Sequence, residues 1–486
     1  MKAIIRTSIL NHLSLLLLII AVMASNSYSQ NNDNQTKPRM TEVTIVGEQF
    51  HINGTPTYEG RSWQPEDGDE YPIEGLLMNA RLVQAVFDDL NPATMGQFAY
   101  PDTREWDPDR NTDEFIDAMT SWREHGMIAV ATNLQGGCPY GYCGSQRWDN
   151  SAFAPDGSLR QAYMNRLERI VDRADELGMV VILGYFYFGQ DGNLEGEQAI
   201  KNAVDNATEW LLDKDYRNVI VELNNECNIN YRSNPILQCE RVHELMERVR
   251  SIEVDGRSLY VSTSLGGNSV PPPNIVGASD YVLLHGNGVE DPDRIREMIR
   301  EVREMDVYTP MPIVSNEDDQ PWRVEAQGWG DEGNNFTASV KSYTSWGYFD
   351  FRRPEEHENY NLGYQSVPVN WHISSDRKSA FFDKLADITG SPGTPDLESE
   401  FSSDIGKVLV NIEQNDTDAT INAVELVINN EVVATDDQAP FEFHIEELPE
   451  GVHYVKARAV YQSGDTEVSI ESPYYRNPWW PYGGRY

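Results

Sequence analysis

The alternation of short apolar runs with amphipathic segments between residues 82 and 388 is the feature that most constrains the fold. The apolar runs are rich in valine, isoleucine and leucine, which is typical of strands buried on both faces of a parallel sheet. The segments between them carry apolar residues at helical spacing, as at Met164, Leu167, Val171 and Ala174. Eight such units over roughly 300 residues predict an α/β fold class, a (β/α)8 TIM barrel.

The predicted elements can be assigned to positions along the chain. The eight strands are predicted at Leu82–Asp88, Ile128–Leu134, Val180–Phe188, the apolar part of Val219–Asn228, Leu259–Ser264, Tyr281–Leu284, Pro312–Asn316 and Gly347–Phe351. The helices are predicted at Thr112–His125, Arg160–Leu177, Glu197–Asp213, Glu240–Ile252, Asp291–Met305, Asn335–Trp346 and Ser374–Ile388, with a weak, proline-interrupted segment after strand five. A doubly wound open sheet would carry a glycine-rich phosphate loop after its first strand. The sequence has none there.

The N-terminus has the features of a secretory signal peptide, which we predict over residues 1–29. Lys2 and Arg6 form its basic end, Leu15–Val22 its apolar centre, and Ser27–Ser29 offers small residues for cleavage. The apolar centre is too short for a membrane span. We therefore expect an exported protein, either periplasmic or extracellular.

The four cysteines favour disulfides, because an exported chain folds in an oxidising compartment. Cys138 and Cys143 lie in one loop, whereas Cys227 and Cys239 flank another. Among the three possible connectivities we expect the local pairs 138–143 and 227–239. Neither pair has a histidine or a second cysteine pair nearby, so a metal site is less favoured. We predict no metal and no cofactor.

The sequence divides into a large barrel and a smaller C-terminal part. Residues 41–390 are predicted to form the barrel, preceded by N-terminal β-hairpins. Residues 403–474 hold short alternating runs without helices, which predicts a β-sandwich. In this part, Val424–Phe443 and Gly451–Gly464 resemble bacterial Ig-like modules. Residues 475–486 form an aromatic tail, expected to pack on the barrel or to lie near a sugar.

The charge balance restricts the class of partner. Lys and Arg number 38, Asp and Glu number 78, and the formal net charge is −40. Nucleic acids and anionic membranes require a basic surface. We therefore expect neither as a partner.

Polar residues follow the apolar runs where active residues of such barrels lie, at the C-terminal ends of the strands. In strand order they are Asp88 and Asp89, Asn133 and Gln135, Tyr187 and Gln190, Asn225 and Glu226, His285 and Asn287, Asn316, Glu317, Asp318 and Asp319, and Asp350 and Arg352. Glycoside hydrolysis needs two facing carboxyl groups, one to protonate the leaving oxygen and one to attack the anomeric carbon.

The Asn225-Glu226 pair after strand four, His285 after strand six and Glu317 after strand seven resemble the clan-A (4/7) superfamily of glycoside hydrolases, which includes family 5. The resemblance implies that Glu226 is the general acid/base and Glu317 the nucleophile of a retaining reaction. It implies that Asn225 binds the sugar 2-hydroxyl and that His285 orients or binds substrate. One departure concerns strand six, where family 5 enzymes carry His-x-Tyr and this chain has Asn287 in place of the tyrosine.

Asn225, His285, Asn287, Tyr187 and Asn133 are the predicted substrate-binding residues. The sequence therefore predicts an exported retaining glycoside hydrolase that cleaves a polysaccharide or oligosaccharide. The alternative is a non-catalytic carbohydrate-binding protein on a degenerate barrel. A metal-dependent hydrolase is a third, less favoured interpretation, because histidine ligands at useful spacing are missing.

Overall fold

A computed structural model describes residues 38–476, apart from 67, 102, 144–145, 230–233, 321–328, 358, 392–396, 405–406, 415–420, 430, 439–440, 446–450, 462–465 and 469–471. The predicted signal peptide and the part of the predicted aromatic tail beyond Arg476 lie outside the described residues. None of the helices within those ranges combines the length and apolarity that crossing a bilayer requires.

Eight parallel strands form a closed barrel. Strands one to eight are Asn79–Arg81, Ala129–Asn133, Val180–Tyr187, Val219–Asn225, Val261–Ser262, Val282–His285, Ile313–Glu317 and Gly347–Tyr348. Strands eight, one, two, three, four and five are hydrogen-bonded in this order, and strand six pairs with strand seven. The bridge Asp318–Tyr348 joins the end of strand seven to strand eight. Between strands five and six, the Asp280 N–H donates to the Val261 carbonyl at 3.0 Å. The predicted (β/α)8 fold class is confirmed.

Helices surround the barrel between successive strands. They span Pro108–Glu124, Gln161–Leu177, Glu197–Asp213, Val242–Ser251, Pro273–Val276, Pro292–Arg303, Asn335–Lys341 and Asp376–Thr389. The first begins where the Asp107 carboxylate accepts from the N–H groups of Asp109 and Arg110, which have no partner within the helix. The second ends at Gly178, whose φ of 68° is left-handed.

Successive side chains of each strand point to opposite faces of the barrel wall, so the core has two layers. Ile182 and Ile220 face the barrel lumen, whereas Val181 and Val221 pack against the helices. At the N-terminal end of the lumen, Phe50 from the hairpin Val43–Val46 and Gln49–Ile52 packs with them. Polar side chains occupy the opposite, C-terminal end of the lumen.

The predicted position of strand one is wrong. The strand is Asn79–Arg81, and the predicted run Leu82–Asp88 turns away after the Leu82 N–H donates to the Ala131 carbonyl. The Thr112 hydroxyl stabilises this turn by donating a hydrogen bond to the Ala85 carbonyl at 2.8 Å. Arg81, and not Asp88, therefore ends strand one.

The C-terminal region is antiparallel. Its strands are Leu397–Asp404, Lys407–Gln414, Ile421–Ile428, Glu431–Asp436, Phe441–Ile445, Gly451–Tyr461, Thr466–Val468 and Ser472–Arg476. They form a three-stranded and a five-stranded sheet, and buried residues of both sheets, such as Phe443 and Leu426, share one core. This arrangement is consistent with an all-β domain. An Ig-like topology and the limits 403–474 stay predictions.

Candidate active site

Two glutamates and a histidine meet at the C-terminal end of the barrel. One carboxylate oxygen of Glu226, one of Glu317 and a ring nitrogen of His285 all lie within 4.8 Å of one another. The His285 Nδ1 is 2.9 Å from Glu226 Oε1 and 3.8 Å from Glu317 Oε2. All three residues are buried. The ends of strands four, six and seven thus bring together the residues that the sequence placed there.

A buried arginine connects this group to a third glutamate. Arg81 Nε lies 3.0 Å from Glu317 Oε2, and its Nη2 donates to Asn225 Oδ1 at 2.7 Å. Its Nη1 donates to Glu222, which also accepts from the Ser264 hydroxyl at 2.6 Å. Neither Arg81 nor Glu222 is exposed to solvent. Because buried charges must be paired, Glu222 holds the guanidinium in place beside Glu317.

The Glu317 carboxyl group is subject to opposing effects. Burial, together with the charge of Glu226, raises its pKa above the ordinary value, although the charges of His285 and Arg81 act in the opposite direction. The Asn287 amide also lowers this pKa by donating from Nδ2 to Glu317 Oε1 at 2.6 Å. Asn287 thus occupies the position next to Glu317 that the family-5 resemblance assigns to a tyrosine.

His285 is placed to carry a proton. Burial opposes its charged form, but the charge of Glu317 and the hydrogen bond with Glu226 outweigh burial and raise the pKa of the imidazole. The imidazolium form donates from Nδ1 to Glu226 Oε1. A charged His285 therefore compensates part of the negative charge of the two glutamates.

The backbone at Glu226 is held in an uncommon conformation. Its φ of 54° lies in the left-handed region, where residues other than glycine are rare. Two contacts hold the turn: the Glu226 N–H donates to the Ser264 hydroxyl at 3.0 Å, and the Cys227 N–H donates to the Ser264 carbonyl. The predicted disulfide Cys227–Cys239 is present and anchors the next residue of the chain. The predicted disulfide Cys138–Cys143 is present as well.

Tyr187 and Asn133 end strands three and two. Burial raises the pKa of the Tyr187 hydroxyl well above its usual value, and the charges of Glu317 and Glu226 add to this effect. The Tyr187 ring fills the space over Gly137, where a Cβ would be 2.3 Å from the ring. The amide of Asn133 similarly occupies the space over Gly184.

Other predicted strand-end residues contribute to the surrounding structure. Asp350 pairs with Arg377 at 3.0 Å, and the Arg352 guanidinium donates to the carbonyls of Ser366 and Pro368, both at 2.8 Å. Asp318 accepts from the Trp346 indole at 3.0 Å. The remaining predicted residues bond other segments of the chain: Asp88 and Asp89 bond Asn150 and Asp149, Gln135 bonds Tyr187, Gln190 bonds Trp148, and Asn316 donates to Glu222.

Three of these side chains could also serve as metal ligands. Among the described residues, Glu226, His285 and Glu317 are the group of His, Cys, Asp and Glu whose ligand atoms lie close enough to hold an ion. Arg81 already places a positive charge 3.0 Å from Glu317, so a divalent cation bound there would meet electrostatic repulsion.

The sequence interpretation missed three residues of this site. Arg81 was missed because strand one was predicted to begin at Leu82. Glu222 carried a usable signal, since it is a lone acid within the apolar run of strand four and shares the lumen-facing parity of Ile220. Tyr142, whose hydroxyl donates to Asp319 Oδ2 at 3.0 Å, lies in the disulfide loop after strand two.

The barrel places one glutamate after strand four and another at the end of strand seven, and a pair of carboxyl groups is what glycoside hydrolysis uses. Residues 89–269 match the family described as cellulase, glycosyl hydrolase family 5. This part of the chain, which contains strands two to five of the barrel, is therefore family-5-like. The match includes Glu226 and ends before His285 and Glu317, so the place of these two residues in the site follows from the geometry.

Solved structures give weaker likenesses. A calcium-binding mutant of Bacteroides uniformis β-glucuronidase 2 is 12% identical, with 89% of this chain and 47% of that chain covered and a TM-score of 0.42. A family 5 glycoside hydrolase from Bacteroides vulgatus ATCC 8482 is 12% identical, with coverages of 86% and 94% and a TM-score of 0.41. The chain spans about half the length of the β-glucuronidase. None of the curated proteins compared matches the chain. Likenesses this distant assign no activity.

Proposed function

We propose that the protein is an exported retaining glycoside hydrolase that cleaves a polysaccharide or oligosaccharide. The observation that carries this proposal is the approach of Glu226, Glu317 and His285, whose ligand atoms lie within 4.8 Å of one another. A retaining reaction needs the two carboxyl groups about 5–5.5 Å apart, whereas inversion needs about 6.5–9.5 Å to admit a water. The short separation supports retention.

The contacts of the two carboxyl groups support different roles for them. Glu317 faces the cation of Arg81 and the amide donor of Asn287, both of which favour an ionised nucleophile. Glu226 bonds His285 Nδ1 through Oε1, a contact that orients this carboxyl group for proton transfer to and from the substrate. In the first step Glu317 attacks the anomeric carbon while Glu226 protonates the leaving oxygen. In the second step Glu226 accepts a proton from the water that releases the sugar.

Asn225 is positioned in this scheme to bind the sugar 2-hydroxyl. Its Oδ1 accepts from Arg81, which fixes the orientation of the amide, so that Nδ2 is the donor directed away from the guanidinium. Hydrogen bonds to the 2-hydroxyl strengthen in the transition state and supply part of the rate. Tyr187 and Asn133, on the neighbouring strands, are the remaining proposed contacts.

The test is a screen of the purified full chain against neutral and anionic polysaccharides and a set of aryl glycosides. Glu317→Gln and Glu226→Gln should each lower kcat by about 10⁴-fold on natural substrates, the scale of single catalytic groups. Glu297→Gln is a matched control, because Glu297 lies on an outer helix and pairs with Arg294.

Two further measurements separate the roles. Azide should restore turnover to Glu226→Ala with an azide product of retained configuration. A 2-deoxy-2-fluoro glycosyl fluoride should add one sugar mass to the wild type and none to Glu317→Gln. The alternative, a non-catalytic carbohydrate-binding protein, predicts binding without product and no effect of either substitution on affinity. Export is tested by N-terminal sequencing of the mature chain, which should begin after residue 29.

A further inference from the structure

Tyr142 stands out among the surface side chains. Tyr142 is the aromatic residue among the large hydrophobic residues that are exposed in the described part of the chain, and 55% of its surface is accessible. It lies between Cys138 and Cys143, which are joined by a disulfide. Tyr185 and Trp371, by contrast, are fully buried and cannot present a face to a ligand.

The loop that carries Tyr142 is fixed from several sides. The Gln365 amide donates to the Cys138 carbonyl at 3.0 Å, and the Val367 N–H donates to the Pro139 carbonyl at 2.8 Å. Gly141 has a φ of 97°, and the Phe351 ring lies where its Cβ would be. The Tyr142 ring packs edge-on against Phe351 with centroids 5.0 Å apart. The ring is therefore preorganised, and little freedom is lost when a ligand covers it.

The hydroxyl of Tyr142 points into the catalytic end of the barrel. It donates to Asp319 Oδ2 at 3.0 Å, and Asp319 Oδ1 accepts from the Gly288 N–H at 3.0 Å. Burial of the hydroxyl raises the pKa of Tyr142, and the negative charges of Asp319 and Glu317 raise it further. The ring thus spans from the catalytic carboxylates toward the solvent.

We propose that the exposed face of Tyr142 is a stacking platform for a neutral sugar unit bound next to the scissile bond. This inference rests on the proposed function and names the substrate class for that site. Sugar faces are lined by C–H groups, which pack on aromatic rings. The charges that act most strongly on the Tyr142 hydroxyl are the carboxylates of Asp319, Glu317 and Glu226. The cations of Arg81 and His285 are already paired with buried glutamates, and the Arg352 guanidinium bonds backbone carbonyls. An anionic sugar would meet repulsion there.

The test compares two substitutions in the Glu317→Gln background, which prevents degradation during the experiment. Electrophoresis through gels containing mixed-linkage β-glucan, glucomannan or arabinoxylan measures affinity for neutral polymers, and gels containing alginate or polygalacturonate measure affinity for anionic ones. Tyr142→Ala should weaken binding of a neutral polymer about tenfold, the scale of one aromatic contact. Tyr142→Phe keeps the ring and should stay within about threefold. Thermal unfolding confirms that each variant is folded.

Three results would overturn the inference. The first is an unchanged affinity of Tyr142→Ala; the second is an equal loss in Tyr142→Phe, which would give the hydroxyl bond to Asp319 the decisive part. The third is tightest binding to an anionic polymer. The failure of the proposed function looks different: the wild type then cleaves no polymer and no aryl glycoside. If the wild type cleaves a polymer with a KM that Tyr142→Ala leaves unchanged, only the inference fails.

Discussion

Replacing Arg81 with methionine removes the cation that lies between Glu222 and Glu317 and leaves a side chain of similar length. Both carboxylates are buried and lose a counter-ion that touches them directly. Two effects should follow, a loss of stability and a change in the pH dependence of activity. They arise from the same contacts and can be measured separately.

The magnitudes follow from the burial and the distances. Removing one partner of a buried ion pair costs about 3–5 kcal/mol. For a large domain, at roughly 2 °C per kcal/mol, this lowers Tm by about 6–10 °C. The 3.0 Å contact with Glu317 corresponds to a Coulomb attraction of about 5 kcal/mol at an effective dielectric constant of about 20, which is an upper bound on what the carboxylate loses. Loss of the cation therefore raises the pKa of Glu317 further.

The pH dependence has a definite sign. In the proposed mechanism Glu317 must be ionised to attack, so the acid limb of kcat/KM should follow its protonation in the free enzyme. Arg81→Met should move this limb to higher pH and leave less activity on the acid side. The assay is the pH profile of kcat/KM on the substrate found by screening, together with thermal unfolding.

Arg377→Met is the matched control. Arg377 is also a buried arginine with two carboxylate partners, Asp350 and Glu356, but these lie outside the glutamate group. It should lose comparable stability without a shift of the acid limb. If Arg81→Met is destabilised and its acid limb does not move, or if Arg377→Met moves the limb equally, the electrostatic role assigned to Arg81 is refuted.

Three further predictions concern neighbouring groups. Asn287→Ala removes a charge-assisted hydrogen bond worth about 1.5–3 kcal/mol, so kcat/KM should fall about tenfold to a hundredfold and the acid limb should move to higher pH; an unmoved limb would assign Asn287 to substrate binding alone. Burial, with the charge of Asp319 second, raises the pKa of Asp318 to about 7, so its stabilising contribution is complete below about pH 4 and is lost as the pH rises through about 7. The free energy of unfolding of the wild type relative to Asp318→Asn, measured by denaturant titration, should therefore fall over this window by on the order of 4 kcal/mol, and a flat difference would contradict the raised pKa. Replacing Cys227 and Cys239 by alanine opens a short loop and should cost about 3 kcal/mol of stability together with a lower kcat; unchanged kcat would limit the bridge to a stabilising role.

The barrel could be predicted from the sequence because seven of its eight strands are read from apolar runs of the expected length. Strand one could not, because Asn79 and Arg81 are buried polar residues whose partners come from distant parts of the chain. The apolar run beside it, Leu82–Asp88, packs in the core without pairing as a strand. Apolarity reports burial, and only the pairing pattern distinguishes a buried strand from a buried turn.

The candidate site was likewise predicted only in part. Glu226, His285 and Glu317 were reached because each ends a recognisable strand. Arg81 and Glu222 were missed because their significance lies in a long-range ion pair. The two residues lie far apart in the sequence, and neither belongs to a recognisable motif. Such pairs become visible only when the register of all eight strands is fixed.

The left-handed backbone at Glu226 means that one residue affects both the proposed chemistry and the stability of the fold. Glycine reaches a φ of 54° without steric cost, whereas a side chain there costs on the order of 1 kcal/mol. Glu226→Gly would relieve this strain, but it would also remove the proposed acid and the partner of the buried His285 Nδ1. The same backbone conformation therefore carries both the strain of the turn and the placement of the carboxyl group beside His285.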